Sequence, residues 1–406
     1  MEYLIHRLGH HGDGIADGPL YAPLTLPGET VTGQPEGDRL RDIKIVTPSE
    51  DRVAPACRHF KSCGGCQLMH ASDAFVATWK QEVVQRALKA QGLDTAMRPI
   101  ATSPEASRRR ATFSVRRTKK GAMVGFHGRA SGVIVEIPGC RLLHPDLLAT
   151  RPLAEALALQ GGSRKAEMSV QVTLSDDGPD VLVTGGKPLD RPLEAALAGL
   201  AGQFGLARLV WEDEPLAMQS PPGQRFDGIR VVPPPGAFLQ ATQHGQQVLT
   251  AAMQEATAGA ERIADLFAGC GTFALPLARG AEVHAVEGSG EMMAALDAGW
   301  RQAEGLKKVT TETRDLFRNP LLPDELNRFD ALVIDPPRAG AEAQVAQVAQ
   351  SVVPRIGFVS CNPVTFARDA ATLVAAGFHL DWLQVVDQFR WSSHIELAAC
   401  FSRPHM

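Results

Sequence analysis

Two short segments near the carboxyl end of the chain contain the residue types that covalent catalysis on a pyrimidine would need. Cys361 stands in Val359-Ser360-Cys361-Asn362-Pro363, and Glu396 stands in His394-Ile395-Glu396-Leu397. A thiolate that adds to carbon 6 of a pyrimidine activates carbon 5 to take a methyl group, and a carboxylate can then remove the carbon-5 proton. On residue type alone, a buried inert thiol and a solvated carboxylate are the commoner outcomes. We predict Cys361 as nucleophile and Glu396 as base.

The position of Cys361 strengthens this prediction. The apolar run before it predicts a strand, and a helix is expected to begin near Val364-Thr365. Because a helix N-terminus favours negative charge, we expect it to lower the pKa of the Cys361 thiol. The preceding apolar run ends in Asp335-Pro336-Pro337-Arg338, where two prolines predict a rigid turn. We expect this turn to bring Asp335 to the same sheet edge, with Arg338 suited to a phosphate.

A second group of residues is typical of a cofactor loop. The apolar run 263–267 is followed by Ala268-Gly269-Cys270-Gly271-Thr272, and Glu287 ends the next apolar run, eighteen residues after Gly269. A Gly-x-Gly turn between strand and helix lets a ligand approach the backbone, and the acid can accept both hydroxyl hydrogens of a ribose. Position 274 is Ala, so the dinucleotide pattern is incomplete. We therefore predict S-adenosyl-L-methionine; a structural turn that binds nothing is the alternative.

Four of the seven cysteines form a candidate metal site. Cys57, Cys63 and Cys66 are clustered, and Cys140 lies far downstream. Two glycines separate Cys63 from Cys66, which is compact enough for two thiolates to share one centre. On residue types, an all-thiolate zinc site and a [4Fe-4S] cluster both remain open.

The elements that must position these residues fall into three regions. Residues 1–50 alternate short apolar pieces with Gly and Pro turns, which predicts a small β-barrel of four or five strands. Residues 51–245 read as an α+β domain that carries the cysteines and includes a helix over 73–89 with Asp73 as its cap. Residues 246–406 alternate strand-like and helical runs, which predicts a parallel sheet covered by helices. The predicted strands there are 262–267, 282–286, 331–334, 356–360 and 395–401.

Composition narrows the class of protein. Of 406 residues, 44% are hydrophobic and 21% are charged, so disorder is excluded as the dominant state. No apolar run approaches the roughly 20 residues of a membrane span, and no secretory pattern is present at the N-terminus, so we expect a cytoplasmic protein with no membrane partner. An odd number of cysteines argues against a disulfide framework, and Cys270 and Cys400 are expected to be structural.

With these residues assembled, the chain resembles the RNA uracil-C5 methyltransferases, which make 5-methyluridine in bacterial RNA. The resemblance covers nearly the whole chain and is carried by Ser360-Cys361-Asn362-Pro363, by His394-Ile395-Glu396 and by Phe238-Leu239-Gln240. It implies a multidomain α/β protein: a class I Rossmann-like methyltransferase domain, an N-terminal OB-like barrel of TRAM type, and a central α+β domain. Two positions depart from the family pattern, Thr242 and Thr272, where Asn is usual.

The resemblance also assigns roles to residues. It makes Cys361 the nucleophile and Glu396 the base, and the Phe-x-Gln segment helps to hold cofactor and target. The implied cofactor-binding residues are Gln240, Phe267, Thr272, Glu287, Asp315 and Asp335. The ribosomal-RNA branch of the family holds a [4Fe-4S] cluster with three clustered cysteines and a distant fourth, which favours iron–sulfur over zinc at Cys57, Cys63, Cys66 and Cys140.

A basic stretch predicts where RNA would bind. It contains Arg108-Arg109-Arg110, Arg116-Arg117 and Lys119-Lys120, and strand alternation would place part of it on one face for phosphate contacts. A solubilising hairpin is the alternative, because the formal net charge is −4. A target uridine must leave its stack to reach Cys361, so a loop or single strand is expected.

We expect a monomer that acts on RNA, with 23S ribosomal RNA favoured. Transfer RNA as substrate of the same chemistry, a non-catalytic redox-sensing RNA-binding protein, and a 5-methylcytosine enzyme are the alternatives. The non-catalytic alternative leaves Asp335, Cys361 and Glu396 unexplained at one sheet edge.

Overall fold

The computed structural model describes residues 1–404, which form a five-stranded barrel, a seven-stranded sheet, an eight-stranded sheet and a two-stranded hairpin. Among the described residues, no helix combines the length and the apolar character needed to span a bilayer. The predicted division at residues 50 and 245 stays a prediction, and the sheets are therefore described one by one.

The N-terminal strands close into a barrel, which confirms the expected small β-barrel. Its strands are β1 (Glu2–Leu8), β2 (Gly14–Ala16), β3 (Leu20–Ala22), β4 (Thr30–Glu36) and β5 (Arg39–Thr47). Their inward residues, among them Ile5, Val31 and Leu40, are buried together. The buried carboxylate of Glu29 accepts from Arg52 Nη2 at 2.8 Å and joins the barrel to the chain that follows it.

Helix α1 (Asp73–Ala90) and strand β6 (Ala101–Thr102) come next. Ser72, not Asp73, caps α1: its Oγ accepts from the Phe75 N–H at 3.1 Å, so the predicted cap was one residue late. Both elements lie inside the predicted central region, yet α1 packs against the C-terminal sheet and β6 joins its edge. Burial of an apolar helix face, which includes Trp79 and Val84, explains this placement.

The central sheet has the order β13-β12-β11-β10-β7-β8-β9. Its strands are β7 (Arg110–Arg117), β8 (Ala122–His127), β9 (Ile134–Glu136), β10 (Met168–Ser175), β11 (Gly178–Thr184), β12 (Arg208–Trp211) and β13 (Glu214–Met218). Strand β7 shows why it forms: Ala111, Phe113 and Val115 alternate inward, as a half-buried strand requires. The helices that pack on this sheet are α2 (Pro145–Leu148), α3 (Arg151–Gly161) and α4 (Arg191–Gln203).

A small hairpin of β14 (Gln224–Phe226) and β15 (Ile229–Val231) precedes the C-terminal sheet in the sequence. The C-terminal sheet has the order β18-β17-β16-β19-β20-β22-β21-β6. Its strands are β16 (Arg262–Leu266), β17 (Glu282–Glu287), β18 (Val309–Thr313), β19 (Ala331–Ile334), β20 (Arg355–Ser360), β21 (His379–Asp387) and β22 (Leu397–Ser402). Strands β16 to β20 are parallel, and β22 runs antiparallel between β20 and β21. The predicted Rossmann-like core is confirmed. The expectation of a wholly parallel sheet was wrong, because the last predicted strand, 395–401, begins at Leu397 and runs antiparallel to its neighbours.

Helices cover this sheet, so its central strands are buried on both faces and are apolar almost throughout. The helices are α5 (Gln243–Ala256), α6 (Ala274–Leu277), α7 (Gly290–Gln302), α8 (Pro323–Leu326), α9 (Glu342–Gln350) and α10 (Pro363–Ala375). The carboxyl ends of the parallel strands therefore meet at one edge, where a ligand is expected in such a sheet.

Candidate active site

A cavity of about 850 Å³ opens at the carboxyl edge of the parallel strands. It is lined by every residue predicted for catalysis and cofactor binding, although these residues are widely separated in the sequence. They are Gln240, Phe267, Thr272, Glu287, Asp315, Asp335, Cys361 and Glu396. The volume falls within the usual range for small-molecule sites.

The loop after β16 has the backbone geometry of a ligand-approach turn. Gly271 has φ +91°, and a Cβ there would lie 2.8 Å from Leu296 Cγ, so only glycine fits. Gly269 donates its N–H to Glu287 Oε2 at 3.1 Å, which holds the acid at the loop. Phe267 has φ +64°, an unfavourable value for a bulky residue that is more often found at functional sites.

The segment that follows β18 also lines this part of the cavity. Asp315 Oδ1 accepts from the Phe317 N–H at 3.0 Å, which turns the chain at the cavity rim. The Phe317 ring is half-exposed and lies 5.4 Å from the Phe267 ring. Two aromatic rings, a Gly-x-Gly turn and the carboxylate of Glu287 together form a chemically suitable site for an adenosine. Phe317 was not predicted from the sequence.

Two carboxyl groups at the inner end of the cavity are strongly perturbed. Burial, together with the charge of Glu287, raises the pKa of Asp335 to about 7. Burial and the charge of Asp335 raise the pKa of Glu396 to about 8, against a lowering by the hydrogen bond from Gln388. Neighbouring carboxylates with raised pKa values are typical of acid–base chemistry.

Cys361 lies between β20 and α10, at the edge where Asp335 follows β19. Its expected low pKa was wrong: burial, then the charges of Glu396 and Asp335, raise the pKa of the thiol to about 11. The helix does begin as expected, with Asn362 Oδ1 accepting the Val364 N–H at 3.1 Å. Burial and two acids outweigh the helix terminus, so the thiol is protonated in the ligand-free protein.

Two buried groups beside the base were not predicted from the sequence. Gln388 lies between Glu396 and Gln240 and hydrogen-bonds to both, at 3.1 and 2.6 Å. Lys80, from α1, donates to Asp387 Oδ1 at 2.6 Å and to the carbonyl of His394 at 2.9 Å. A lone polar residue at the end of a strand and a lysine in a distant helix form no pattern that identifies them.

Asp265 was also missed, although its sequence context offers a signal, since it is an acid inside an apolar run. It is fully buried in β16 beneath the cofactor loop. Burial and the nearby charge of Asp335 raise its pKa well above the usual range, so the carboxyl is protonated.

The basic stretch is not uniformly available for phosphate contacts. Arg109 Nη2 donates to Gln246 Oε1 at 2.7 Å, and Arg110 Nη1 donates to the Leu239 carbonyl at 3.1 Å. Burial lowers the pKa of Arg109 to about 10. These two residues brace residues 239–246, so this part of the basic stretch is tied to the protein itself. Arg108 lines the cavity, and Arg116, Lys119 and Lys120 are exposed.

The four predicted metal ligands, Cys57, Cys63, Cys66 and Cys140, line one small cavity of about 30 Å³ together with apolar side chains. Burial and mutual repulsion raise the pKa of the Cys66 thiol to about 12. Cys63 Sγ accepts the Gly65 N–H at 3.4 Å. Within residues 1–404, no three His, Cys, Asp or Glu side chains are arranged to hold a metal ion directly. Four converging thiols nevertheless have the donor chemistry of a thiolate-ligated centre.

Comparisons with known proteins identify relatives of this chain. The family model described as tRNA (Uracil-5-)-methyltransferase matches residues 234–403. A protein of Mesorhizobium japonicum described as an uncharacterized RNA methyltransferase is 42% identical, over 99% of this chain and 98% of its own length. The 23S rRNA (uracil(1939)-C(5))-methyltransferase of Halomonas elongata is 34% identical, over 99% of this chain and 89% of its own length.

A solved structure shares the fold. The Pyrococcus abyssi tRNA (uracil-54, C5)-methyltransferase, in complex with S-adenosyl-L-homocysteine, superposes with a TM-score of 0.78 at 21% identity. The match covers 99% of both chains, so it includes the barrel, the central sheet and the C-terminal sheet.

Proposed function

The chain belongs to the S-adenosylmethionine-dependent RNA (uracil-C5)-methyltransferase family, and on that premise we propose how it acts and on which RNA. Cys361 adds to carbon 6 of a uridine, carbon 5 takes the methyl group, and Glu396 removes the carbon-5 proton. The observation that carries the proposal is that one cavity contains Cys361, Glu396 and all six predicted cofactor residues. Membership of this family also disfavours a non-catalytic redox sensor.

The steps follow from the groups in the cavity. The target uridine leaves its stack and enters beside Cys361. The thiol gives its proton to solvent water, sulfur bonds to carbon 6, and the displaced electron pair moves through carbon 5 onto the carbon-4 oxygen. Carbon 5 then takes the methyl group of S-adenosylmethionine, whose methyl–sulfur bond breaks, so that S-adenosylhomocysteine is the leaving group. Finally Glu396, as carboxylate, takes the carbon-5 proton while the carbon–sulfur bond breaks and the thiolate is restored.

The raised pKa values suit these roles. A carboxyl whose pKa is about 8 is a stronger base than an ordinary glutamate and can take up a proton near neutral pH. A thiol whose pKa is about 11 is unreactive until the target arrives, which protects it from oxidation. Ionisation of Cys361 is therefore tied to binding of the target and cofactor.

The cofactor residues divide by position. Glu287 is suited to the ribose hydroxyls, and Phe267 and Thr272 lie in the loop that approaches the nucleoside. Asp315 lies at the rim of the same cavity, and Asp335 lies at its inner end near Cys361. Asp335 is suited to the positively charged end of the cofactor.

Ribosomal RNA is the favoured substrate. The Halomonas elongata relative, which matches 99% of this chain, acts on 23S rRNA. This supports ribosomal RNA as the substrate class of this chain. Transfer RNA is the other candidate, from the family description. We also propose that the enzyme is a cytoplasmic monomer that binds RNA with its barrel and with the exposed basic residues after Val115.

The test uses the whole protein, S-adenosylmethionine and unmodified transcripts of 23S rRNA and of transfer RNAs. Nuclease digestion and mass spectrometry should detect 5-methyluridine at one position of the 23S transcript. Methylation confined to transfer RNA would overturn the ribosomal assignment. Absence of 5-methyluridine in both, with cofactor binding retained, would overturn the proposed activity. Detection of 5-methylcytidine instead would show that the target base is cytosine and not uracil.

We further propose that Cys57, Cys63, Cys66 and Cys140 hold a [4Fe-4S] cluster. Four thiols around one cavity, with an N–H donor to Cys63 Sγ, support it. When bound, the cluster would anchor two chain segments to each other; its place outside the C-terminal sheet favours a role in folding or RNA docking.

Anaerobically purified protein should contain about four iron and four sulfide per chain and absorb broadly near 400 nm. A Cys140→Ala variant should lose both signals, whereas Cys400→Ala, which lies elsewhere, should retain them. One zinc per chain, without sulfide, would contradict the cluster.

A further inference from the structure

Gln388 follows β21 and is buried, with 2% of its surface exposed. Its side-chain amide makes three hydrogen bonds: Oε1 accepts from the Ala241 backbone N–H at 2.8 Å, and Nε2 donates to Gln240 Oε1 at 2.6 Å and to Glu396 Oε2 at 3.1 Å. Gln388 therefore contacts both the candidate base and the glutamine of the Phe-x-Gln segment, without lining the cavity itself.

The orientation of these two amides follows from a backbone group. The Ala241 N–H can only donate, so the atom of Gln388 that faces it must be the oxygen. The NH2 group of Gln388 then faces Gln240, whose near atom must accept and is therefore its oxygen. Consequently Gln240 turns its own NH2 group away from Gln388.

The NH2 group of Gln240 faces the cavity. Gln240 lines that cavity, and among the described residues its Nε2 makes no hydrogen bond. Thr242 cannot take over the role of Gln388, because its Oγ1 accepts from the Gly245 N–H at 2.9 Å and lies 2.8 Å from Ser103 Oγ. The departure from the family pattern at Thr242 therefore leaves the bracing of Gln240 to Gln388.

The local backbone is built around this amide. A Cβ on Gly245 would lie 2.8 Å from Gln388 Cβ and 3.0 Å from Gln388 Oε1. Only glycine at this point of α5 lets Gln388 pack so closely. Arg109 Nε adds a hydrogen bond to the Gln240 carbonyl at 3.1 Å, which fixes the backbone of the residue that Gln388 orients.

We propose that Gln388 is a positioning residue that makes Gln240 present a hydrogen-bond donor to the oxygen on carbon 4 of the target base, and thereby selects uracil over cytosine. This inference rests on the proposed function, since it assumes that uracil occupies the cavity. It moves Gln240 from the cofactor to the target side of the cavity, two hydrogen bonds from Glu396.

The chemistry explains both selection and rate. Uracil has an accepting oxygen on carbon 4, whereas cytosine has a donating amino group there, so an NH2 group from the protein fits only uracil. When Cys361 Sγ bonds to carbon 6, the electron pair of the carbon 5–carbon 6 double bond is delocalised onto that oxygen. A donor already fixed there stabilises the developing negative charge. The same side chain of Gln388 also hydrogen-bonds to Glu396. Gln388 therefore positions both the residue that recognises the base and the residue that removes the carbon-5 proton.

The experiment first maps the uridine that the wild-type enzyme methylates in a 23S rRNA transcript. Short hairpins are then made with uridine, 4-thiouridine or cytidine at that position, because sulfur is a weaker acceptor than oxygen. Single-turnover methylation rates are measured for the wild type, Gln388→Leu, Gln388→Glu and the matched control Gln384→Glu, which changes the same residue type on β21 outside the cavity.

We expect the wild type and Gln384→Glu to prefer uridine over 4-thiouridine by about tenfold. Gln388→Leu should lower the uridine rate by about 100-fold and reduce that preference to near one. Gln388→Glu presents only oxygens to Gln240, so the Gln240 amide should reverse and turn its oxygen to the cavity. The difference between the methylation rates of uridine and cytidine should then become smaller. Unequal loss on the three bases separates orientation from misfolding, which lowers all rates together.

An unchanged preference in both Gln388 variants, with S-adenosylmethionine binding retained, would overturn the inference while leaving the proposed function intact. A wild-type enzyme that methylates uridine and 4-thiouridine at equal rates would overturn it as well. If the wild type methylates no uridine in any transcript, the proposed function itself fails.

Discussion

The catalytic cavity and the cysteine cavity are built on opposite principles. The first has about 850 Å³ and is lined by segments spread along the chain from Gly64 to Glu396, among them the ends of the parallel strands and the loops that follow them. The second has about 30 Å³, and three of its four thiols come from one short segment, Cys57 to Cys66. The larger cavity uses the sheet to gather distant residues, whereas the smaller one uses local chain turns. On the functions proposed above, the first is a site for exchangeable ligands and the second is a site for a permanent occupant.

Trp391 joins the two regions. It belongs to the apolar cluster against which Cys57, Cys66 and Cys140 pack, and its carbonyl accepts N–H groups from Gln67 and Leu68, each at 2.8 Å. It adopts φ +59°, an unfavourable value for tryptophan that the surrounding contacts must enforce. Glu396 follows five residues later, so the loop that carries the base is fixed at one end by the cysteine region.

Lys80 holds the other side of the same loop. Its ammonium group is completely buried and bonds to Asp387 and to the carbonyls of Phe389 and His394. Water cannot reach this buried ion pair, so removal of either Lys80 or Asp387 would leave the other as an unpaired buried charge. The base-bearing loop is thus held from α1 as well as from the cysteine region.

The largest expected effect separates the two cavities directly. Cys361→Ala should lower turnover by about 10⁴-fold or more, because no other described thiol lines the catalytic cavity. Cofactor affinity and iron content should stay at wild-type values. Methylation rates and cofactor titration provide the measurement. Turnover of the alanine variant at the wild-type rate would remove Cys361 from the mechanism.

A change at Lys80 should loosen the loop that carries Glu396 without altering the lining of either cavity. Lys80→Met leaves Asp387 as an unpaired buried charge and should reduce the free energy of unfolding by about 3–5 kcal/mol. Lys89→Met changes an exposed lysine of the same helix and should have little effect. Thermal and urea unfolding compare the two variants; equal stabilities would show that the Lys80 pair does not hold the loop.

The smallest effect concerns the cost of burying the base. The pKa of Glu396 is about 8 in the folded chain, above its ordinary value of 4.5, so the folded state binds a proton that the unfolded chain releases. Stability is therefore lost as pH rises from about 4.5 to about 8. Glu396→Gln, which cannot ionise, should raise Tm by about 2–4 °C at pH 9 and by less at pH 5.

The matched control for this comparison is Glu304→Gln, a change of an exposed glutamate. Its Tm should follow the wild type at both pH values. A Glu396→Gln variant that is no more stabilised at pH 9 than at pH 5 would show that the carboxyl does not titrate in this range.

The parts of the site that depend on strand ends could be predicted from the sequence. Asp335 and Cys361 each follow an apolar run, and parallel strands bring their ends to one edge. The pKa of Cys361 was mispredicted because a helix terminus is visible in sequence, whereas burial beside two acids is not. The brace at Gln388, the packing of α1 on the C-terminal sheet and the inward turn of Arg109 depend on contacts between distant segments, for which no periodic pattern exists.

The proposed mechanism depends on a bond between Cys361 and the target base, and trapping that bond is its sharpest test. In Glu396→Gln the carbon-5 proton should stay in place after methylation, so protein and RNA remain joined and migrate slowly on a denaturing gel. Digestion and mass spectrometry should then find a methylated uridine attached to the peptide containing Cys361. Full activity without any adduct, or attachment to a different cysteine, would contradict the mechanism.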